Sequence, residues 1–300
     1  MKLGAVFPTR ELPGSATDVR RWTEAVVALG FDHVVALDHV LGVDPAGAGD
    51  YAAHWPHSTQ FRRPYTNRDV FHEPFVLFGF LAALCDLELV TGVLILPQRQ
   101  TVLVAKQAVE IDVLSSGRLR LAVGVGWNPI EYEALGMPFA RRGRMIEEQI
   151  TLLRRLWTCS SVTFEGEFHK VQSAGLQMLP IQQPIPLWMG GDATVVLDRI
   201  GRLADGWYPN AAEVPDDAFV AKLGAIRAAA EAAGRDPGAI GVQPRITIGR
   251  STDDELHAEI DAWRSRGATH LSIDTMTAGW SSVDEHVGSL ERTAKVLGLV

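Results

Sequence analysis

Asp38-His39 closes a short apolar run, His33–His39, and sets a carboxylate beside an imidazole, a pairing suited to proton transfer near neutral pH. Nine histidines occur in the chain, and most must serve packing or surface, so His39 stands out by its place at the end of a strand-like run. Gly190-Gly191-Asp192-Ala193-Thr194 ends another such run and leads into a helical pattern. It leaves backbone N–H groups free for an anion, although a tight turn needing glycine conformations reads from the same residues. His54-Trp55-Pro56-His57 carries two metal-ligand side chains, but the proline breaks a helical ligand spacing and no nearby Cys or carboxylate completes a site, so no metal is expected. Gly124-Val125-Gly126 begins like a dinucleotide fingerprint, yet it lacks the third glycine, and Trp127-Asn128-Pro129 does not open a helix directly. No Gly-x-Ser-x-Gly elbow occurs, which leaves redox chemistry on a bound cofactor better motivated than covalent hydrolysis.

The elements that must position these groups alternate from end to end. Eight strand-like runs occur: Leu3–Pro8, His33–His39, Glu88–Pro97, Leu119–Trp127, Pro186–Gly191, Gly206–Pro209, Gly241–Gly249 and His270–Met276. Between them apolar residues recur at helical spacing, as in Val19, Trp22, Val26 and Leu29, or Val283, Val287, Leu290, Ala294 and Leu297. Ser15 with Asp18, Ser251 with Asp254 and Ser282 with Glu285 read as capping boxes. Eight β-then-α units with apolar strands predict a (β/α)8 TIM barrel of the α/β class, with an open doubly wound sheet as the rival. Catalytic groups in such a barrel gather at the C-terminal strand tips.

Two segments interrupt the alternation. Residues 42–73 form a long loop after strand two, rich in Gly, Pro, His and aromatics, and are expected to cover the barrel mouth, with Trp55 and Tyr65 facing a substrate. Val162–His169 reads as two short strands around Glu165-Gly166, a small hairpin inserted before strand five.

The 300 residues are 47% apolar and 21% charged, enough to bury a core without disulfides or a structural metal. Cys85 and Cys159 lie in apolar stretches that read as helix and are expected to be buried reduced thiols. Lys plus Arg number 28 against 36 Asp plus Glu, a formal charge of −8, which argues against nucleic-acid or anionic-membrane partners. No apolar run approaches the ~20 residues of a membrane span, and Met1-Lys2-Leu3 leads straight into a strand. The expectation is one cytoplasmic domain over 1–300 that takes a small-molecule substrate and pairs as a homodimer.

A family resemblance rests on many elements in order. They are Thr91-Gly92-Val93-Leu94-Ile95-Leu96-Pro97, Ala105-Lys106, Asp112-Val113-Leu114-Ser115-Ser116-Gly117-Arg118, and Gly124-Val125-Gly126-Trp127 with Glu131 and Leu135-Gly136. Arg141-Arg142-Gly143, Leu156-Trp157, the Gly166 hairpin, Pro186-Leu187-Trp188-Met189-Gly190-Gly191 and Ala204-Asp205-Gly206-Trp207 follow. The chain resembles, over nearly its whole length, the luciferase-like monooxygenase superfamily, and within it the coenzyme F420-dependent oxidoreductases of actinobacterial type. The resemblance implies a barrel that binds a flavin or deazaflavin ring at its C-terminal mouth. It implies Asp38 and His39 as catalytic residues, with Asp38 orienting His39. It places Thr91, Gly92, Val93 and Ile95 behind the ring, with a cis peptide at Gly92-Val93, and Gly126, Trp127 and Asn128 on the opposite side. Gly190, Gly191 and Thr194 would meet the cofactor phosphate.

The resemblance also bears on which ring is bound. Flavin-using relatives carry a phosphate-binding Arg just before the glycine matching Gly126, where this chain has Val125, and this favours coenzyme F420 over FMN. Arg62, Arg63, Arg68, Arg99, Arg141, Arg142 and Arg144 supply positive charge for an oligoglutamate tail, or form a solvated surface. Sugar-phosphate dehydrogenases of the family have Glu at the Trp127 position, so a sugar phosphate is disfavoured. The resulting expectation is an F420-dependent oxidoreductase transferring a hydride to or from a small organic substrate. The alternatives are an FMN-dependent monooxygenase fed by a separate reductase, or a non-catalytic flavin- or deazaflavin-binding carrier.

Overall fold

A computed structural model describes residues 1–12, 14–44, 46, 65–249 and 251–300. Most of the 42–73 loop, including His54, Trp55, His57, Arg62 and Arg63, lies outside the described residues. The strands are β1 (Lys2–Val6), β2 (His33–Ala36), β3 (Glu88–Thr91), β4 (Leu94–Ile95), β5 (Leu119–Gly124), β6 (Val162–Glu165), β7 (Lys170–Ala174), β8 (Leu187–Gly190), β9 (Gly206–Tyr208), β10 (Gly241–Val242), β11 (Arg245–Thr247) and β12 (His270–Asp274). The helices are α1 (Ala16–Ala28), α2 (Pro74–Ala82), α3 (Thr101–Leu114), α4 (Pro129–Ala134), α5 (Arg142–Thr158), α6 (Thr194–Leu203), α7 (Asp217–Ala232), α8 (Asp253–Ser265) and α9 (Val283–Val296).

The main sheet is parallel and runs in the order β10-β9-β8-β5-β3-β2-β1-β12-β11, with β4 alongside β5. β10 and β11 are one run interrupted at Gln243-Pro244, because proline has no N–H to give the ladder. The first half pairs with β9 and the second with β12, so the sheet returns on itself as a (β/α)8 barrel. The expected hairpin is present as the antiparallel pair β6-β7 before β8. The third strand-like run divides into β3 and β4 at the cis Gly92-Val93 peptide.

Alternation along the strands sorts side chains between two apolar clusters. The larger packs strand residues such as Ala5, Val34, Leu89, Leu121 and Ile273 against the helices. The smaller holds Val6, Val35, Val90, Ala122, Trp188, Tyr208 and Met276. Val6 pairs in register with Val35 and Val35 with Val90, which places these three side by side on the barrel's inner face. Below them a polar group fills the N-terminal end. Arg120 grips Glu88 through two hydrogen bonds of 3.0 and 2.8 Å and lies over the Trp188 ring. The Gln243 amide donates to His33 Nε2 at 3.0 Å and to Ser272 Oγ at 2.6 Å. Burial, followed by the nearby Arg120 cation, holds His33 well below the ordinary histidine pKa, so it packs here as a neutral ring.

Helix starts follow local chemistry. Ser15 caps α1 through Asp18 N–H, and Ser282 with Glu285 forms a full capping box on α9. The box on α8 is Thr252 with Glu255, one residue later than the Ser251-Asp254 reading. The thiols also differ from expectation: Cys85 is buried in the turn after α2, whereas Cys159 is exposed just beyond the end of α5. Among the described residues no helix is long and apolar enough to cross a membrane.

A Cβ on Gly4 would stand 2.1 Å from His33 Cδ2, and His33 is buried and held by Gln243. Gly4→Ala is expected to cost about 1–3 kcal/mol through overpacking, read as a lower urea midpoint at unchanged m-value.

Candidate active site

β2 ends at Ala36, and the chain beyond it carries Asp38 and His39 to the barrel mouth. The structure gives these neighbours separate partners. Asp38 is buried and accepts from Ile95 N–H at 3.0 Å and from Arg99 Nη2 at 2.8 Å. Arg99 also reaches Glu73 at 2.8 Å, the residue that caps α2 through Val76 N–H. Asp38 thus fastens the β2 tip to the segment after β3.

The carboxylate that holds His39 is Glu131, which corrects the expectation that Asp38 orients it. Glu131 Oε1 lies 3.3 Å from His39 Nδ1 and accepts Val40 N–H at 2.9 Å and Leu41 N–H at 3.3 Å. Its other oxygen accepts from Gln98 Nε2 at 3.2 Å. Burial pushes the Glu131 carboxyl up, but the bonds from His39, Gln98 and Leu41 outweigh it and hold the pKa below the ordinary value. An ionised carboxylate only accepts, so the His39 proton sits on Nδ1 and Nε2 is left as an acceptor in the neutral ring.

Glu131 comes from a helix that the sequence reading did not anticipate. Asn128 is the N-cap of α4, accepting Ile130 N–H at 3.0 Å, with Pro129 at the first helical position. Asn128-x-x-Glu131 has the spacing of a cap residue and its reciprocal acid. The Glu131 side chain turns to the β2 tip, and that use is visible only once α4 and β2 are adjacent.

Aromatic rings enclose His39. Tyr65 lies against it at a centroid distance of 3.9 Å, Phe71 at 5.0 Å and Trp127 at 6.1 Å. The Tyr65 hydroxyl accepts Asn128 Nδ2 at 2.9 Å. Burial, with Glu131 nearby, raises the Tyr65 pKa strongly, so it stays a neutral phenol. Tyr65, at the end of the 42–73 loop, therefore packs on the imidazole.

The other anticipated residues divide between lining and spacing. Thr91 is buried and donates to Ala122 O at 2.6 Å, a bond within the barrel wall. Gly92 could carry no Cβ, since it would meet Val35 at 2.3 Å and the Tyr208 hydroxyl at 2.9 Å. Gly124 and Gly190 leave room for Val93, and Gly126, at φ +66°, leaves room for Ile95. Gly191 takes φ +124° and its carbonyl accepts Trp207 Nε1 at 2.8 Å. Thr194 is exposed at the first turn of α6, whose cap Ala193 makes no side-chain bond. Four of the arginines expected to hold a tail have partners within the chain: Arg99 pairs with Asp38 and Glu73, Arg141 and Arg144 pair with Glu167, and Arg142 lies over the Phe139 ring. Among the described residues no group of three His, Cys, Asp or Glu could hold a metal ion.

The sequence model of the luciferase-like monooxygenase family matches residues 1–293. An uncharacterized protein of Mycobacterium tuberculosis is 37% identical over 176 residues, 58% of this chain and 60% of that protein. The FMNH(2)-dependent dimethylsulfone monooxygenase of Pseudomonas putida is 32% identical over 184 residues, 60% of this chain and 49% of that protein. The chain spans about three fifths of the length of the first of these curated relatives and half of the other. Among solved structures, the monooxygenase RslO1 from Streptomyces bottropensis superposes with a TM-score of 0.78 at 21% identity, covering 99% of this chain and 98% of that one. An F420-dependent secondary alcohol dehydrogenase in complex with an F420-acetone adduct gives 0.76 at 16%, covering 100% and 98%. At these identities the two structures establish the fold.

The lowered pKa of Glu131 means that its contribution to stability is complete above the ordinary carboxylate pKa and is lost as pH falls through the lower folded value. Urea midpoints across the acid range should therefore fall in the wild-type protein, and Glu131→Gln should flatten part of that fall while lowering stability near neutrality. In the same variant, nitrogen shifts of His39 should show the fixed Nδ1–H tautomer replaced by a mixture.

Proposed function

The chain belongs to the luciferase-like monooxygenase family, and from that premise we propose that it is a coenzyme F420-dependent oxidoreductase transferring a hydride between the deazaflavin and a small organic substrate. The observation that carries this reading is the His39–Glu131 pair, which leaves one imidazole nitrogen as a proton acceptor at the mouth of the barrel. The residues present fit a flavin-type ring. Val6, Leu37, Val35, Val90 and Val93 form an apolar floor and wall, in which Gly92, Gly124 and Gly190 leave room for the Val35 and Val93 side chains. Gly190, Gly191 and Thr194, with the first-turn N–H groups of α6, would hold the phosphate.

When bound, a deazaflavin supplies a carbon that gives or takes a hydride as a pair of electrons. The chain's own groups do the rest. The apolar wall excludes water from the reacting atoms. His39, at Nε2, takes a proton from the substrate's hydroxyl when the substrate is oxidised and returns it in the reverse direction. Glu131 keeps that nitrogen aimed and stabilises the imidazolium that forms, while Asp38, through Ile95 N–H and Arg99, holds the β2 tip against the segment behind the ring.

A second reading, an FMN-dependent monooxygenase, is supported by the 32% identity to the FMNH(2)-dependent enzyme of Pseudomonas putida. Titration of the apoprotein with coenzyme F420 and with FMN separates the two, and preferential binding of FMN would overturn the first. His39→Ala should lose roughly 10²–10⁴-fold in turnover while still binding cofactor. Under the deazaflavin reading, turnover should also persist without oxygen and release no peroxide; oxygen-dependent product formation would establish the monooxygenase.

A further inference from the structure

Tyr65 is drawn into the barrel mouth although no strand or helix carries it. It is only 3% exposed, and the backbone that follows it is fastened on two sides. Asp69 accepts Thr66 N–H at 2.6 Å and Arg10 Nε at 2.9 Å, which ties the stretch to the segment after β1. Asn67 N–H donates to Val43 O at 3.2 Å. Gly42 gives the Thr66 carbonyl its room, since a Cβ there would stand 2.1 Å from that oxygen. Loop segments ordinarily run over the surface; this side chain is delivered to His39 by ties to the β1 and β2 connections.

The bond between His39 and Glu131 needs such help. At 3.3 Å it is long for an N–H···O contact, and one bond fixes a point of the imidazole but not the plane of its ring. The plane is set by contacts on the ring itself. Tyr65 makes the closest of the aromatic ones, with centroids 3.9 Å apart and planes 35° apart, while Phe71 meets the imidazole edge-on at 5.0 Å. The Tyr65 hydroxyl reaches the other member of the pair. Its oxygen accepts Asn128 Nδ2 at 2.9 Å, and the group also hydrogen-bonds Glu131. Burial keeps the phenol protonated, and the ionised carboxylate can only accept, so the phenol proton points to Glu131. Asn128 spends its carbonyl oxygen on Ile130 N–H, which fixes the amide and aims its nitrogen at the phenol. The other charged groups around the pair have partners of their own: Asp38 bonds Arg99, Arg99 also bonds Glu73, and Arg142 acts on the neighbouring Tyr132.

We propose that Tyr65 is a positioning residue of the His39–Glu131 pair: its ring sets the plane of the imidazole, and its hydroxyl, aimed by Asn128, helps to keep Glu131 ionised. This rests on the acid–base role given to His39 above for its use in a reaction, though not for the contacts themselves. A proton acceptor accelerates a reaction only when its lone pair is aimed at the atom it serves. With the ring plane held, Nε2 presents one direction instead of a spread of them.

The test uses the full chain without ligand. Tyr65→Phe keeps the ring and removes the hydroxyl, whereas Tyr65→Leu removes both. NMR follows the carbon shift of the Glu131 carboxyl against pH and the relaxation of the His39 ring nitrogens. In Tyr65→Phe the carboxyl midpoint should rise, because a bond to the charged form is lost, while the His39 ring stays as ordered as in wild type. In Tyr65→Leu the midpoint should rise as well, and the order parameter of the His39 ring should fall by roughly 0.2. An unmoved midpoint in Tyr65→Phe, or a ring as ordered in Tyr65→Leu as in wild type, overturns the proposal. Should Tyr65→Leu disturb the His33 resonances of the N-terminal plug, a sign of fold-wide change, the carboxyl midpoint in Tyr65→Phe decides alone. Neither measurement uses a cofactor. A wild-type protein that binds neither coenzyme F420 nor FMN therefore removes the hydride-transfer reading, while the role of Tyr65 is still decided by the two variants.

Discussion

The buried carboxylate of Glu131 is the interaction on which the mouth of this barrel depends. A carboxylate out of water must have its oxygens occupied, or it takes up a proton. Here the occupants are His39, Val40 N–H, Leu41 N–H and the Gln98 amide. These come from the loop after β2 and the turn after β4, while the carboxylate comes from α4. One side chain therefore ties three consecutive βα connections together, and the imidazole is oriented as one of the bonds that keep the acid ionised. Asp38 performs a parallel task beside it through Ile95 N–H and Arg99. The two acids divide the work that a single Asp-His pair was expected to do.

The barrel's interior is arranged in layers of different character, and each suits its depth. At the N-terminal end, Arg120, Glu88, Gln243, Ser272 and His33 form a hydrogen-bonded plug. Above it lies the valine layer. Gly92, Gly124 and Gly190 then leave room for the side chains of Val35 and Val93, with which a Cβ at any of them would collide. The plug at the N-terminal end spends most of its polar atoms internally, which suits a fold that keeps its chemistry at the opposite end.

Much of the architecture was legible in the amino-acid sequence. All eight barrel strands lie where apolar runs alternate with helical periodicity, and the small hairpin lies around Glu165-Gly166. These are local signals, since a strand or an amphipathic helix must bury one face whatever its partner is. The strand-tip residues His39, Gly92, Gly126 and Gly190 also follow from reading the tips of those strands. Short-range exceptions were misread for equally local reasons. Pro129 after Asn128 obscured the start of α4, and Cys159 ended an apolar stretch on its exposed side.

What each polar group does was decided only by the tertiary structure. Asp38 and His39 are adjacent in sequence, yet the extended chain sends their side chains to different partners, one to Arg99 and the other to Glu131. Glu131 is 92 residues from His39, and its spacing from Asn128 reads as an ordinary helix cap. Tyr65 reads as part of a long loop and becomes the ring that lies tilted against the imidazole. Sequence determines which faces are apolar and where elements start and stop, because those depend on neighbours within a turn or two. Hydrogen bonds between side chains depend on which strand tips the barrel brings together, and no local pattern carries that information.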